Sequence, residues 1–172
     1  MSTKFLPVVM AACLTVGLTA CGSGATPKSD DSAKDSGEVT VTNCGKKVTY
    51  PKKAERLYVN DGSIIAMALS AGARKQIAAM SSADRDRDIL NAKYGADTIN
   101  SLHEGTKGYM TLESVIANKP DVVVAGWDYG FSEANNLTPD TLHDKGINSY
   151  MLTESCRQKD GQSARGVMDP WN

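Results

Sequence analysis

The chain has 172 residues, a formal net charge of -1 at pH 7 and 41% hydrophobic residues. This length and composition suit one soluble domain with a sizeable core, and the near-neutral charge gives no reason to expect a nucleic acid as partner. Aromatic residues make up only 6% of the chain, so each one in a predicted loop is a candidate for a function.

The first 20 residues have the pattern of a signal peptide. Lys4 is a short basic region, and residues 5–17 form an apolar segment that is too short for a membrane-spanning helix. Residues 18–21, LTAC, resemble the lipobox of bacterial lipoproteins, in which the signal is cleaved before the cysteine and that cysteine carries lipid. We therefore predict a signal peptide over residues 1–20 and lipidation of Cys21. An ordinary secretory signal that contains a cysteine is the alternative.

A polar segment follows the lipobox. Residues 22–38 contain no aliphatic side chain larger than alanine, so they cannot bury apolar surface. We predict that residues 21–38 comprise the lipidated cysteine and a disordered tether. The folded part then lies on the extracytoplasmic face of the cell membrane, which it touches through the lipid anchor alone.

The remaining cysteines lie near the two ends of the predicted folded part. Cys13 leaves with the signal and Cys21 is the anchor, so Cys44 and Cys156 remain in an oxidising compartment. We predict an intramolecular disulfide between them; two unpaired thiols or a bridge to another chain are the alternatives. No Cys-x-x-Cys or Cys/His spacing indicates a metal site.

The elements predicted from the sequence alternate between strands and helices. The first is a β-hairpin at 39–43 and 47–50 around a Cys44-Gly45 turn, followed by a strand at 56–60 and a helix at 61–73 with Ser63 as a possible N-cap and Gly72 as its stop. A strand at 76–80 and an exposed helix at 82–95 come next, and then a helix at 111–119 with Thr111 as N-cap. The last elements are a strand at 121–127, a helix at 138–146 with Pro139 in its first turn, and a strand at 147–152. This alternation predicts an α/β fold with a largely parallel, twisted sheet and helices on both faces.

Polar and aromatic residues follow three of the predicted strands. In such sheets ligands gather at the carboxyl ends of the strands. Asn60 and Asp61 follow one strand, residues 126–131 follow a second and residues 153–155 follow the last. We expect these segments to meet at a ligand-facing rim.

Several stretches resemble class III periplasmic solute-binding proteins, which serve ABC importers of ferric siderophores, haem and cobalamin. The stretch TLESVIANKPDVVVAGWDYG (111–130) resembles the central signature of the family, through Leu112, Glu113, the Lys-Pro-Asp at 119–121 and the apolar strand at 122–124. AERLYVNDGSIIAMALSAGA (54–73) resembles its first βα unit, and LHDKGINSYML (142–152) resembles the next helix and strand. With the lipobox, the resemblance runs from about residue 18 to about residue 160.

The resemblance implies a binding protein with no cofactor and no catalysis. It implies a Rossmann-like N-terminal lobe over residues 39–156. The partners that it implies are an iron chelate and the permease subunits of an ABC importer. A ferric siderophore is the expected ligand, with haem or cobalamin as alternatives. Family members continue into a linking helix and a second lobe, so we expect residues 157–172 to begin the inter-lobe segment and the second lobe to be missing. We expect a monomer.

Candidate ligand contacts follow from the strand ends. Trp127, Asp128 and Tyr129 end the central strand, and flat aromatic rings suit a corrin, porphyrin or catecholate. Packing of the aromatic residues in the core or at the rim is the alternative. Asn60 and Asp61 either line the same cleft or cap the following helix, and Tyr109 is expected on a loop at the rim.

Glu113 and the charged run at 84–88 each have two interpretations. In the family, the glutamate that matches Glu113 pairs with arginines of the permease; an acid that favours a helix start is the alternative. The run DRDRD (84–88) lacks the glycine and the final glutamate of an EF-hand, so it is interpreted as an ion-paired helix start, although Arg85 or Arg87 could contact an anionic siderophore. His103 and His143 are interpreted as surface residues.

Two other classes of function are alternatives to a solute-binding protein. An extracytoplasmic hydrolase would need a nucleophile and a base, and neither a Gly-x-Ser-x-Gly elbow nor a histidine at a convincing strand end occurs. An anchored interaction module without a small ligand is the second alternative.

Overall fold

A computed structural model describes residues 37–156. The predictions for the signal peptide, for Cys21, for nearly all of the tether and for residues 157–172 lie outside the described residues. The strands are β1 Glu38–Asn43, β2 Lys46–Pro51, β3 Leu57–Asn60, β4 Ile77–Ser81, β5 Glu104–Thr106, β6 Val122–Trp127, β7 Gly130–Phe131 and β8 Asn148–Met151. The helices are α1 Gly62–Ser70, α2 Arg87–Tyr94, α3 Ala96–Asn100, α4 Leu112–Asn118 and α5 Pro139–His143, and short 3-10 turns cover Ala73–Gln76, Asp84–Asp86 and Thr153–Ser155.

The main sheet is parallel throughout. Its strands lie in the order β5-β4-β3-β6-β8, and the two-residue strand β7 pairs with the last residues of β6. Because all these strands run in one direction, their carboxyl ends meet at the same edge of the sheet. The predicted parallel α/β sheet is therefore confirmed, while β5, β7 and α3 were not predicted.

Helices cover both faces of the sheet, as predicted. Successive residues of a strand point to opposite faces, so Tyr58 and Val59 of β3 belong to two separate core clusters. Tyr58 packs in the cluster that contains Val115 of α4 and Leu142 of α5. Val59 packs in the cluster that contains Ile64 of α1, with Leu90 of α2 and Ile99 of α3. Among residues 37–156, no helix is long and apolar enough to cross a membrane.

The beginnings of two helices show how the local sequence acts. Thr111 caps α4 in a capping box with Ser114, as predicted for Thr111. The N-cap of α1 is Asp61 and not Ser63: the Asp61 carboxylate accepts hydrogen bonds from the Ser63 backbone N–H at 3.1 Å and from the Ser63 hydroxyl at 2.8 Å. Asp61 prevails because its side chain reaches the free N–H groups of the first turn, so α1 begins one residue before Ser63.

The β1–β2 hairpin forms a separate antiparallel sheet that is attached to β8. The Asn43 side chain donates to the Met151 carbonyl at 2.8 Å and accepts from the Met151 N–H at 2.9 Å. The Cys44–Cys156 disulfide, predicted from the sequence, is present, with 5.2 Å between the two Cα atoms. The hairpin turn is thus joined to the end of the segment that follows β8.

Tyr50 makes the contact between the hairpin and β8 sensitive to pH. Its hydroxyl donates to the Ser149 carbonyl at 2.7 Å, and burial, followed by the neighbouring Tyr150, raises the pKa of Tyr50 from 10.0 to about 12. Between these two values the unfolded chain has lost the phenol proton and the folded chain has kept it. We therefore expect ionisation of Tyr50 to leave the free energy of unfolding unchanged below about pH 10, where the phenol is protonated in both states, and to lower it as the pH rises to about 12. Urea unfolding of the parent and of Tyr50→Phe across this range checks the prediction: the difference between them should shrink with rising pH, and a constant difference would contradict it.

Candidate functional site

An open cleft of about 810 Å³ lies at the carboxyl edge of the sheet. The chain segments after β3, β6 and β8 all contribute to it, as the strand-end rule predicts. The remaining side of the cleft is formed by α1, by the beginning of α2 and by the loop before α4. The cleft thus gathers five of the six predicted ligand contacts, which are Asp61, Tyr109, Trp127, Asp128 and Tyr129.

The turn between β6 and β7 places two aromatic side chains and one acid in the cleft. The Trp127 backbone N–H donates to the Ser155 hydroxyl at 3.0 Å, and the Asp128 backbone N–H donates to the Phe131 carbonyl at 2.9 Å. Asp128 has a φ of 66°, a left-handed conformation that reverses the chain direction. Phe131, the third aromatic residue of this segment, is fully buried in the core and does not line the cleft.

Gly126 allows the Tyr129 ring to lie against the end of β6. A Cβ atom at position 126 would lie 1.7 Å from Cζ of Tyr129, so only glycine leaves room for the ring. The Tyr129 hydroxyl donates to Oε1 of Glu154 at 2.5 Å, which joins the β6–β7 turn to the 3-10 turn after β8. The glycine at the end of β6 is therefore explained by the Tyr129 ring, which packs over the backbone at position 126.

Asn60 lies beneath the cleft and is fully buried. Its side-chain amide donates to the Tyr129 carbonyl at 2.9 Å, and its side-chain oxygen accepts from the Met110 N–H at 2.8 Å. One asparagine thereby connects the loop that carries Tyr109 with the turn that carries Tyr129. The structure places Asn60 as a positioning residue, since it does not line the cleft.

Asp61 both caps α1 and lines the cleft. It caps α1, and its second carboxylate oxygen forms an ion pair with Arg85 at 3.4 Å inside the cleft lining. Arg85 also pairs with Asp86 at 3.2 Å. The hydrogen bond to Asp86, followed by the charges of Asp86 and Asp61, raises the pKa of Arg85 above its ordinary value. Gly62 permits this arrangement, because a Cβ atom there would lie 2.4 Å from Oδ2 of Asp86.

The DRDRD run is the ion-paired helix start that the sequence predicts. Arg87 pairs with Asp84 at 3.2 Å and with Glu104 at 2.9 Å, and it does not line the cleft. Arg85 is the arginine that faces the cleft. In the described part of the chain, no group of three or more His, Cys, Asp or Glu side chains is arranged to hold a metal ion.

The Lys-Pro-Asp signature has a structural explanation. The Asp121 carboxylate accepts hydrogen bonds from the backbone N–H groups of Glu55 and Arg56, at 2.6 and 3.1 Å, and so fixes the segment before β3 against the segment before β6. The Arg56 guanidinium donates to the carbonyls of Asn118 and Lys119 at the end of α4. These contacts lie at the opposite edge of the sheet from the cleft. Glu113 is exposed in the first turn of α4 and does not line the cleft.

Some cleft residues were not named as contacts from the sequence. Asp86 and Ile89 lie on a segment whose pattern indicates only an exposed helix, so nothing in the sequence marks them. Glu154 and Ser155 directly follow β8, and the strand-end rule marks that segment without identifying which side chain turns inward.

Solved structures of periplasmic binding proteins share this fold. A periplasmic binding protein from Veillonella parvula DSM 2008 matches with a TM-score of 0.58 and 25% sequence identity, over 69% of this chain and 38% of that one. A protein described as an ABC-type Fe3+-hydroxamate transport system from Saccharomonospora viridis DSM 43017 matches with a TM-score of 0.54 and 20% identity, over 70% of this chain and 41% of that one. This chain therefore spans about two fifths of the length of these structures. No family model and no curated protein matches the sequence.

The fold and the cleft define an α/β lobe of the periplasmic binding protein type. The parallel α/β lobe that the resemblance in the sequence motifs implies is thus confirmed, and its fold is similar to that of periplasmic binding proteins.

Proposed function

We propose that this chain is part of the extracytoplasmic solute-binding component of an ABC importer, which captures an iron–siderophore complex and delivers it to the permease. The observation that supports this best is the cleft at the strand ends, where Tyr109, Trp127 and Tyr129 are collected in a fold shared with binding proteins. One structural neighbour is described as a transport system for Fe3+-hydroxamate. Haem and cobalamin are the alternative ligands, and an anchored interaction module is the alternative function.

The proposed mechanism is capture without catalysis. The aromatic side chains offer flat apolar surface to a chelate, while the carboxylates and hydroxyls of the lining offer hydrogen-bond acceptors and donors. Asn60 holds the two aromatic loops in register through its hydrogen bonds at 2.9 and 2.8 Å, so less conformational entropy is lost on binding.

The remaining parts of the proposal concern the cell. Cys21 is proposed to carry the lipid that retains the protein at the membrane. Glu113 is proposed to contact the permease, because it is exposed on α4 at a position separate from the cleft. A ligand in the cleft would leave this acid accessible.

Substitution of Trp127 tests the binding function. We expect Trp127→Ala to weaken binding of a ferric siderophore by about 0.5–1.5 kcal/mol, the usual contribution of an aromatic contact beyond its buried area, or about two- to twelvefold in Kd. Isothermal titration calorimetry of the parent and of the variant with ferric siderophores, haem and cobalamin measures the two Kd values, and quenching of tryptophan fluorescence shows whether the ligand lies beside Trp127. The Trp127→Ala variant retains Trp171, so quenching that persists unchanged in the variant would contradict the proposal. The absence of saturable quenching with every ligand would favour the interaction module.

A further inference from the structure

A chain of hydroxyl groups crosses the main sheet from β3 to β5. The Tyr58 hydroxyl of β3 lies 2.6 Å from the Ser81 hydroxyl of β4, which lies 2.9 Å from the Thr106 hydroxyl of β5. Tyr58 and Ser81 are fully buried. Gly105 leaves space for the chain, because a Cβ atom at this position would lie 2.3 Å from the Tyr58 hydroxyl oxygen. Three neighbouring strands are thus joined through their side chains.

The chain of hydroxyls ends at the loop that carries Tyr109. The Thr106 hydroxyl lies 3.0 Å from the Gly108 carbonyl oxygen and 3.1 Å from the Tyr109 carbonyl oxygen. Residues 107–109 are exposed, and Tyr109 lines the cleft. The Thr106 hydroxyl therefore restrains the backbone of the exposed part of this loop.

The number of available protons gives the chain a direction. A carbonyl oxygen only accepts hydrogen bonds, whereas each hydroxyl has one proton to donate. When Thr106 donates to a loop carbonyl, its bond to Ser81 needs the Ser81 proton, and the bond between Ser81 and Tyr58 then needs the Tyr58 proton. The Tyr58 oxygen is still able to accept from the Ser114 hydroxyl, which lies 3.0 Å away. Without the Tyr58 donor, the Ser81 oxygen would compete with the loop carbonyls for the proton of Thr106.

We infer that Tyr58 and Thr106 are positioning residues for the cleft. Through Ser81 their hydroxyls form one directed chain, which holds the loop backbone and keeps Tyr109 in the cleft lining. The inference rests on the proposed function, since it concerns how the same cleft is kept ready for its ligand. Neither Tyr58 nor Thr106 lines the cleft, so both act through Tyr109. An ordered loop loses less conformational entropy when a ligand binds.

Backbone dynamics of the ligand-free full chain test the positioning role. Amide relaxation measured by NMR gives the order parameters of Gly108 and Tyr109, which should be about 0.85 in the parent, the value of rigid backbone. Thr106→Val removes the hydroxyl and keeps the shape of the side chain, so both order parameters should fall below about 0.6, the range of flexible backbone. Tyr58→Phe keeps the ring and removes the first donor, so it should lower them by a smaller amount.

Tyr50→Phe is the matched control for these variants. It removes the hydroxyl of a tyrosine that donates at 2.7 Å to the Ser149 carbonyl of β8, at the opposite end of the strand order. The control should leave the order parameters of Gly108 and Tyr109 unchanged. A flexible loop in the parent, no change in Thr106→Val, or equal losses in all three variants would overturn the inference. An effect of Thr106→Val without any effect of Tyr58→Phe would overturn the directed chain.

Ligand affinity shows whether the order of the loop matters for capture. Isothermal titration calorimetry with ferrioxamine B, a ferric hydroxamate, gives the Kd of the parent and of each variant. We expect Thr106→Val to raise Kd by about two- to tenfold and Tyr58→Phe to raise it less, because apparent affinity falls with the fraction of molecules whose loop is competent to bind. In the background Tyr109→Ala these effects should disappear, since both positions act through Tyr109.

The outcomes separate this inference from the proposed function. If the parent does not bind ferrioxamine B, the result counts against siderophore capture, while the order parameters of the ligand-free protein still decide the positioning role. If the parent binds and Thr106→Val binds equally well, the loop is not positioned for the ligand and the inference is overturned. An undiminished effect of Thr106→Val in the Tyr109→Ala background would overturn the action through Tyr109.

Discussion

Removal of the disulfide by the double substitution Cys44→Ser/Cys156→Ser is expected to lower the free energy of unfolding by about 2–5 kcal/mol. The bridge joins residues 112 positions apart and so closes nearly the whole described domain into one loop. In the chain-entropy model a loop of about 100 residues corresponds to about 4.7 kcal/mol at 25 °C, less any strain in the native state. Urea unfolding of the oxidised parent and of the double variant, followed by circular dichroism, measures the difference.

A reductant provides the control for this prediction. Treatment with dithiothreitol should destabilise the parent by the same amount and leave the double variant unchanged, since Cys13 and Cys21 are present in both proteins. The hydrogen bonds of Asn43 to Met151 and of Tyr50 to Ser149 do not depend on the bridge, so the hairpin should stay attached to β8 in the folded variant. A loss below about 1 kcal/mol would show that the unfolded chain is already restrained without the bridge.

The sequence predicts the fold correctly where one pattern recurs along the chain. Hydrophobic strands that alternate with helices predict the parallel sheet, and the same pattern predicts that the ends of β3, β6 and β8 meet. Strand β5 was missed because its residues Glu104–Thr106 contain no apolar side chain, and β7 was missed because it has only two residues. Such strands exist because neighbouring strands pair with them, which is a tertiary cause that local sequence does not carry.

The sequence predicts where the candidate site lies, but it does not predict which side chains line the cleft. Residues at a strand end can be identified from the sequence, but their direction depends on partners that are distant in the chain. Asn60 illustrates this, since its partners are the backbones of Met110 and Tyr129, 50 and 69 residues away, and its side chain is buried between them and does not line the cleft. The position of Asp86 in the cleft lining also depends on a residue distant in the chain, because Gly62 leaves space for its carboxylate.

Gly126→Ala is expected to destabilise the fold by about 1–3 kcal/mol and to displace Tyr129 from its position beside the cleft. The added Cβ atom would lie 1.7 Å from Cζ of Tyr129 and 2.1 Å from its hydroxyl oxygen, so the ring has to move. Movement of the ring breaks its hydrogen bond to Glu154, while the Tyr129 backbone stays held by Asn60. Urea unfolding measures the loss of stability, and the fluorescence of Trp127 reports the rearrangement beside it.

Two further variants identify Tyr129 as the cause. Gly108→Ala is the matched control, because no heavy atom lies within 4 Å of its added Cβ, and its effect should stay within about 0.5 kcal/mol. In the background Tyr129→Ala the obstructing ring is gone, so Gly126→Ala should cost much less there than in the parent, and the difference is the coupling between the two positions. Equal costs in the two backgrounds would contradict the prediction. A large coupling would show that the glycine is required by the ring, and hence that the end of β6 is built to place Tyr129 beside Glu154 in the cleft.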